Sequence, residues 1–183
     1  MQVKEVTKSN PNIFVFPVNM KTQVGEHYKS TILKPVEQSV IAKWVSDNSA
    51  KELKDIFGND PVPTWGATKS GLGFYNRMRP DDHFLFSISG VIKVHCKITT
   101  KTDCGELSQD LWPDPKKERL FSLIYFLKDL QEVEYPTSEL FSKFGYDPNF
   151  IFQGLIRVSD RRRDEFYEKF GTLESVLHNK SGS

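Results

Sequence analysis

At 183 residues, the chain has the length of one ordinary domain and is long enough to bury a proper core. Hydrophobic residues make up 38% and charged residues 27%, a balance that excludes a largely disordered or fibrous chain. Lys and Arg total 25 against 24 Asp and Glu, a formal charge of +1, so net charge gives no argument for a nucleic-acid partner and only an uneven distribution would.

Cys96 and Cys104 are the two cysteines. They form no CxxC and no regular framework, which fits a reducing cytoplasm. The N-terminus lacks the apolar stretch of a signal peptide, and no apolar run approaches the roughly 18 residues that span a bilayer. The expected organisation is a single cytoplasmic domain over residues 1–180, with tails at Met1 to Asn12 and His178 to Ser183, and with Ser181-Gly182-Ser183 resembling a cloning scar.

In chain order, Ile13 to Val18 reads as a first strand, its end placed at an edge or bulge by Pro17. After a polar stretch, Pro35 suits the first position of a helix whose stripe is Val36, Val40, Ile41, Trp44 and Val45, which assigns Trp44 to the core. Ser49-Ala50-Lys51-Glu52 has the form of a capping box for a second helix ending at Gly58. Pro61-Val62-Pro63 forces extended chain, so Trp65 enters a sheet. Ser70-Gly71-Leu72-Gly73 reads as a flexible loop. His83 to Ile88 and Val91 to Ile98 form a hairpin across Ser89-Gly90. Leu120 to Leu127 fits a central strand, Thr137 to Phe144 a short helix, Phe150 to Val158 a further strand, and Asp160 to Phe170 an amphipathic helix. Strands and helices follow no regular βαβ repeat, which predicts a mixed α/β (α+β) domain with a small, strongly curved or barrel-like sheet flanked by helices.

Motifs of catalysis are missing: the sequence has no GxxxxGK[ST], GxGxxG, HExxH or GxSxG. Neighbouring strand residues point to opposite faces, so neither Asp81-Asp82-His83 nor His95-Cys96 converges on one ion, and no metal and no cofactor are expected. Aromatic residues reach 13%, more rings than a core of this size needs. That excess draws attention to the segment Pro63 to Ser87.

There a Trp at a strand end (Trp65-Gly66) is followed by a polar loop, an apolar helical patch, a turn, and a strand ending Phe86-Ser87 before a glycine-containing hairpin. This order resembles the YTH and EVE families of the PUA-like superfamily, above all the N-terminal recognition modules of McrB-type modification-dependent restriction systems. The resemblance runs from about Phe14 to Val158. It implies that Trp65, with Gly66 and Ala67, forms one wall of a cage for a methylated base, that Phe86 and Ser87 floor it, that Trp112 is a second wall, and that Asn19 reads the base edge. The long stretch from Asn19 to Lys34 departs from the family, and no third wall is evident. Phosphate contacts are expected from Lys69, Ser70, Arg77, Arg79, Lys93, Lys97, Arg161 and Arg162, although cations such as Arg161 to Arg163 at a helix start oppose its dipole.

The implied function is a non-enzymatic reader of double-stranded DNA that flips out a methylated base, N6-methyladenine before 5-methylcytosine, and targets the motor and nuclease of a restriction complex. Two other readings stay open from the sequence: a reader of methylated adenine in RNA, and a protein-interaction domain. A slot between two indoles suits the chemistry, since each base-to-ring stack is worth about 1 to 3 kcal/mol, against a few kcal/mol for extruding the base.

Overall fold

Runs of β-branched and aromatic residues build six strands: β1 Ile13–Val18, β2 Thr64–Ala67, β3 His83–Ile88, β4 Val91–Asp103, β5 Leu123–Pro136 and β6 Ile156–Arg157. A computed structural model describes residues 9–116, 118–147 and 149–178, and in it these strands form one mixed sheet in the order β2-β5-β4-β3-β1-β6. Only β1 and β3 are parallel; the other pairings are antiparallel. Register shifts between Phe86 and Ser87 and at three points along β4 and β5 interrupt the ladders. Such irregularities bend strands and deepen their twist, which gives the two long strands the curvature expected of the class.

The helices are α1 Gln23–Tyr28, continued by a π-helical turn Lys29–Leu33, then α2 Gln38–Ile41, α3 Asp47–Phe57, α4 Leu72–Arg77, α5 Gly105–Leu111, α6 Thr137–Lys143, α7 Asp160–Phe170 and α8 Leu173–His178. They cover the sheet so that three apolar clusters form. One gathers Phe14, Trp65, Phe84, Phe86, Cys96 and Tyr125 under α1 and α4. A second packs Val15, Leu85 and Ile92 against α6, α7 and α8. A third packs Ile124 and Phe126 against α2, α3 and α5. Alternation along the strands explains the division: Phe14 and Val15, or Phe84 and Leu85, are neighbours in sequence and face opposite sides.

Several sequence expectations shift. Val36 does not start a helix; it is extended and exchanges backbone hydrogen bonds of 3.0 and 2.7 Å with Val62, leaving only the single turn of α2. Trp44 is therefore not a core residue. It is 43% exposed, and its indole donates to Asp110 at 2.9 Å. The cap of α3 is Ser46, whose hydroxyl accepts from Ser49 N at 3.2 Å, so the helix begins one turn before the Ser49 box. The stretch after Asn19 is helical, and Gly25 is what lets it pack: a Cβ there would lie 2.6 Å from the Met20 backbone. Lys69–Gly71 and α4 replace the flexible loop. The strand expected over Phe150 to Val158 is reduced to Ile156–Arg157. Pro17 fits as expected, since β6 pairs with Phe14 and Val15, Val158 N donates to Ile13 O, and the end of β1 from Phe16 on has no β6 partner. Among the described residues, no helix is long and apolar enough to cross a membrane. The tails expected at Met1 to Asn12 and His178 to Ser183 are shorter where described, because Asn12 is buried and His178 ends α8; residues 1–8 and Ser181-Gly182-Ser183, expected as a cloning scar, lie outside the described residues.

Asp82 locks the start of the parallel pair. Its carboxylate is buried and accepts from Asn12 N at 2.7 Å, Asn12 Nδ2 at 2.9 Å and Arg79 N at 2.8 Å, while the Arg79 guanidinium stands 3.5 Å away. Asn12 in turn accepts through Oδ1 from Arg163 at 3.0 Å and Arg157 at 3.1 Å, so one polar network joins β1, β3 and α7. Removing its centre strands several donors. Asp82→Ala is expected to lower the unfolding free energy by about 3 kcal/mol, measured by urea denaturation.

Candidate functional site

The two prolines around Val62 hold the chain extended, Thr64 Oγ1 donates back to Val62 O at 2.9 Å, and β2 then pairs with β5, Trp65 opposite Tyr125 and Gly66 opposite Ile124. Alternation places the Trp65 indole in the first cluster and turns Gly66 toward the third. Trp112, which caps α5 with its N–H on Ser108 O at 2.8 Å, lies on that second side. The two indoles meet around the end of the edge strand with ring centroids 6.5 Å apart at 72°. Gly66 makes the meeting feasible: a Cβ there would fall 2.7 Å from both Phe121 O and Trp112 Cζ3.

A cleft of about 250 Å³ opens at this junction. Trp65, Gly66, Ala67 and Trp112 form its back, and Thr68, Ser70, Gly71 and Phe74 form one rim. Phe16, Val24, His27, Phe121, Tyr125 and Leu155 complete the lining. The walls are a linked ring assembly. Phe16 meets Trp65 edge-on at 5.4 Å, Phe86 supports it from behind at 5.2 Å, and His27 stacks on Trp112 at 5.4 Å and 30° while standing at 89° to Phe121.

The indoles do not make the expected slot. A base held face to face by two rings needs near-parallel walls about 7 Å apart, twice the contact distance of carbon atoms, whereas 72° makes a corner. Trp65 is also only 3% exposed, most of its surface being held by neighbours. Its Nε1–H and that of Trp112 are buried with no partner among the described residues. Unpaired buried donors are rare and costly, and both occur here.

His27 is the one imidazole on the lining, and burial holds it below the ordinary histidine range, hence neutral at pH 7. Lys101 fixes the rim: its ammonium donates to Tyr75 O and, at 3.0 Å, to Met78 O, and stands 4.6 Å over the Tyr75 ring. A cation on the last carbonyls of a helix is well placed, and it pins α4, which carries Phe74.

Of the residues expected to hold a base, the structure gathers Trp65, Gly66, Ala67 and Trp112 at the cleft, with Ser70 from the phosphate set. Phe86 is fully buried behind Trp65 rather than on the floor. Ser87 bonds Thr137 Oγ1 at 2.8 Å under α6. Asn19 is exposed in the turn after β1, accepting from Lys21 N at 3.0 Å, and with Ser87 it lines a different depression. Neither reaches the cleft.

The cations are dispersed. Lys69 pairs with Asp103 beside the cleft, and Arg77 is exposed at the end of α4. Arg79 is engaged by Ser9, Asn10 and Asp82, Lys93 by Glu134 at 2.6 Å, Lys97 by Glu174 at 3.0 Å and Arg161 by Glu165 at 3.2 Å. Arg162 covers the Tyr146 ring at 4.4 Å. The dipole conflict raised by Arg161 to Arg163 is relieved locally, since Arg163 is buried against Asn12, Asp160 and Asp164.

Sequence reasoning did not single out Phe16, Val24, His27, Phe74, Phe121, Tyr125 or Leu155. A signal existed for two of them: Val24, His27 with Tyr28, and Thr31 with Ile32 recur at helical spacing.

No family model matches the chain, and neither does any curated protein. The fold is the mixed α/β domain with a curved sheet expected from the resemblance to McrB-type recognition modules, whereas at the end of β2 an aromatic corner stands where a slot was expected. A solved structure shares the fold: the N-terminal domain of Thermococcus gammatolerans McrB bound to m5C DNA, with a TM-score of 0.69 and 19% identity, covering 91% of this chain and 99% of that one.

Two outcomes follow from this geometry. Gly66→Ala forces either the Phe121 backbone or the Trp112 ring to move, and is expected to cost about 1 to 3 kcal/mol and to change the near-ultraviolet circular dichroism of the indoles. His27, His83 and His95 all lie below the ordinary histidine pKa of 6.5 because they are buried, His95 down to about 4. The unfolded chain then binds protons that the folded one refuses, so stability is full above pH 6.5 and falls as pH drops from there toward 4. Urea denaturation across that range checks it.

Proposed function

We propose that this chain is a DNA-binding module that takes a methylated base, rotated out of a duplex, into the corner between Trp65 and Trp112. The observation that carries the reading is that cleft: apolar, ring-lined, about 250 Å³, and set in a fold shared with a domain solved on m5C DNA. In this reading the base lies against the indoles and the Phe74 rim. Stacks of about 1 to 3 kcal/mol each offset the few kcal/mol of extrusion, and a buried methyl adds roughly 0.8 kcal/mol. The neutral His27 ring and the hydroxyls of Thr68 and Ser70 are polar groups that the lining offers the occupant.

Lys69 and Ser70 stand at the rim of the opening, and with Arg77 at the exposed end of α4 they would meet the phosphates on either side of the rotated nucleotide. The Lys69 ion pair is exposed at both ends, 63% and 48%, and such pairs are worth little, so a phosphate can replace Asp103. The module itself carries out no chemistry; a motor and a nuclease in other domains or subunits would act where it binds. N6-methyladenine, the base expected from the sequence, and 5-methylcytosine, the base in the solved neighbour, are both candidates.

The test is a titration with duplexes that differ in one base, carrying N6-methyladenine, 5-methylcytosine or neither, at two salt concentrations, with matched RNA as a fourth arm. The expected result is at least tenfold tighter binding to one methylated DNA at both salts, with a salt slope common to all the duplexes. Phe74→Ala, a change on the exposed rim, is expected to lose about fivefold to tenfold of that affinity with its melting temperature kept. Equal affinity for all duplexes, or preference for the RNA, would contradict the reading.

A further inference from the structure

On the opposite side of the sheet from the first apolar cluster, under α8, three ligand-bearing side chains converge from three elements. His83 on β3 and His95 on β4 are 3% and 2% exposed, and Glu174 comes from the first turn of α8. Their ligand atoms lie within 4.8 Å of one another. We infer that His83, His95 and Glu174 form a site for a divalent first-row ion of the zinc class, which staples α8 to the sheet.

The register of the hairpin brings the two imidazoles together. His83 is opposite Lys97, and His95 lies two residues back along β4, so the rings sit diagonally on one face. His83 Nδ1 and His95 Nε2 are 2.9 Å apart and share a hydrogen bond. Two ligands of a tetrahedral ion at about 2.0 to 2.2 Å are roughly 3.3 Å apart, so the pair needs to open by a few tenths of an ångström. His95 Nδ1, on the far side of its ring from His83, is buried with no partner among the described residues. When an ion takes the two facing nitrogens, the proton they share moves to the far nitrogen of its own ring.

Glu174 completes the set as an anion, and its carboxylate now holds the Lys97 ammonium at 3.0 Å. An ion would take that oxygen and release Lys97, which is 28% exposed, into solvent. Two imidazoles and one carboxylate are a borderline donor set that suits zinc or cobalt better than calcium or magnesium. The fourth position faces the partly exposed Glu174 side, where water can complete the coordination. His178, one turn along α8, is turned away and bonds Gln131 Oε1 at 2.7 Å. The gain is structural: α8 is one short helix held by Leu173 and Leu177, and an ion adds bonds that close the chain end onto β3 and β4.

The experiment uses tag-free protein stripped with chelator. Calorimetric titration with zinc is expected to show one ion per chain, and a hundredfold excess over Kd to raise Tm by about 5 to 10 °C; cobalt is expected to give the visible bands of a four-coordinate nitrogen and oxygen site. Glu174→Gln, which alters a partly exposed residue and leaves the buried ring pair intact, is expected to weaken zinc binding at least tenfold, and His95→Gln to abolish it. Methylated-DNA affinity should not change with chelator. Absence of one-to-one binding by the wild type, or a Glu174→Gln variant that binds zinc as tightly as the wild type, would overturn the site.

Discussion

There is no room for a methyl group at residue 66, and the candidate site depends on that. β2 is an edge strand of the sheet, paired on one side by β5; the missing Cβ lets Trp112 press to within 2.7 Å of where that atom would stand. The close approach joins two clusters that the sheet otherwise keeps apart, one holding Trp65 and the other Trp112. The cleft is the gap left where they meet, and its aromatic character comes from both faces of the sheet at once.

The ring assembly also sets a limit on what the site can do. Edge contacts at 70° to 83° between Phe16, Trp65 and Phe86 are favourable arrangements for aromatic pairs, and they hold Trp65 in place without leaving a parallel partner for a guest ring. A flat ligand therefore meets a fixed corner whose second side is the Trp112 and His27 stack. Precise fixing of a small number of surfaces is what a reader needs, because selectivity between two bases that differ by one methyl is worth only about a kcal/mol from burial and is lost if the wall gives way.

Much of the sheet was legible in the sequence. The hairpin across Ser89-Gly90, the extended entry through Pro61 and Pro63, and the helix Asp160–Phe170 follow from local rules that no tertiary contact opposes. Elsewhere longer-range contacts won. Val36 has the spacing of a helix start but finds Val62 as a ladder partner, and Trp44 then leaves the core to bond Asp110. Trp65, Gly66, Ala67 and Trp112 could be named because the order of motifs resembles a known family; His27 could not, since Gly25 and the polar residues around it conceal a helix whose packing depends on the Met20 backbone. The His83 and His95 pair was invisible for a different reason: strand alternation correctly separates His95 from Cys96, yet pairing register, which decides that His95 meets His83, is not written in either strand alone.

The sequence holds three tryptophans, and the structure gives them distinct places: two in the corner and Trp44 exposed beside α5. Fluorine NMR of protein labelled with 5-fluorotryptophan, titrated with a duplex carrying one methylated base, reads all three. The account predicts that the Trp65 and Trp112 resonances shift to saturation at one duplex per chain, while Trp44 stays put and an unmodified duplex leaves all three unmoved at that concentration. Saturable binding of the methylated duplex with the Trp65 and Trp112 resonances unchanged would contradict it.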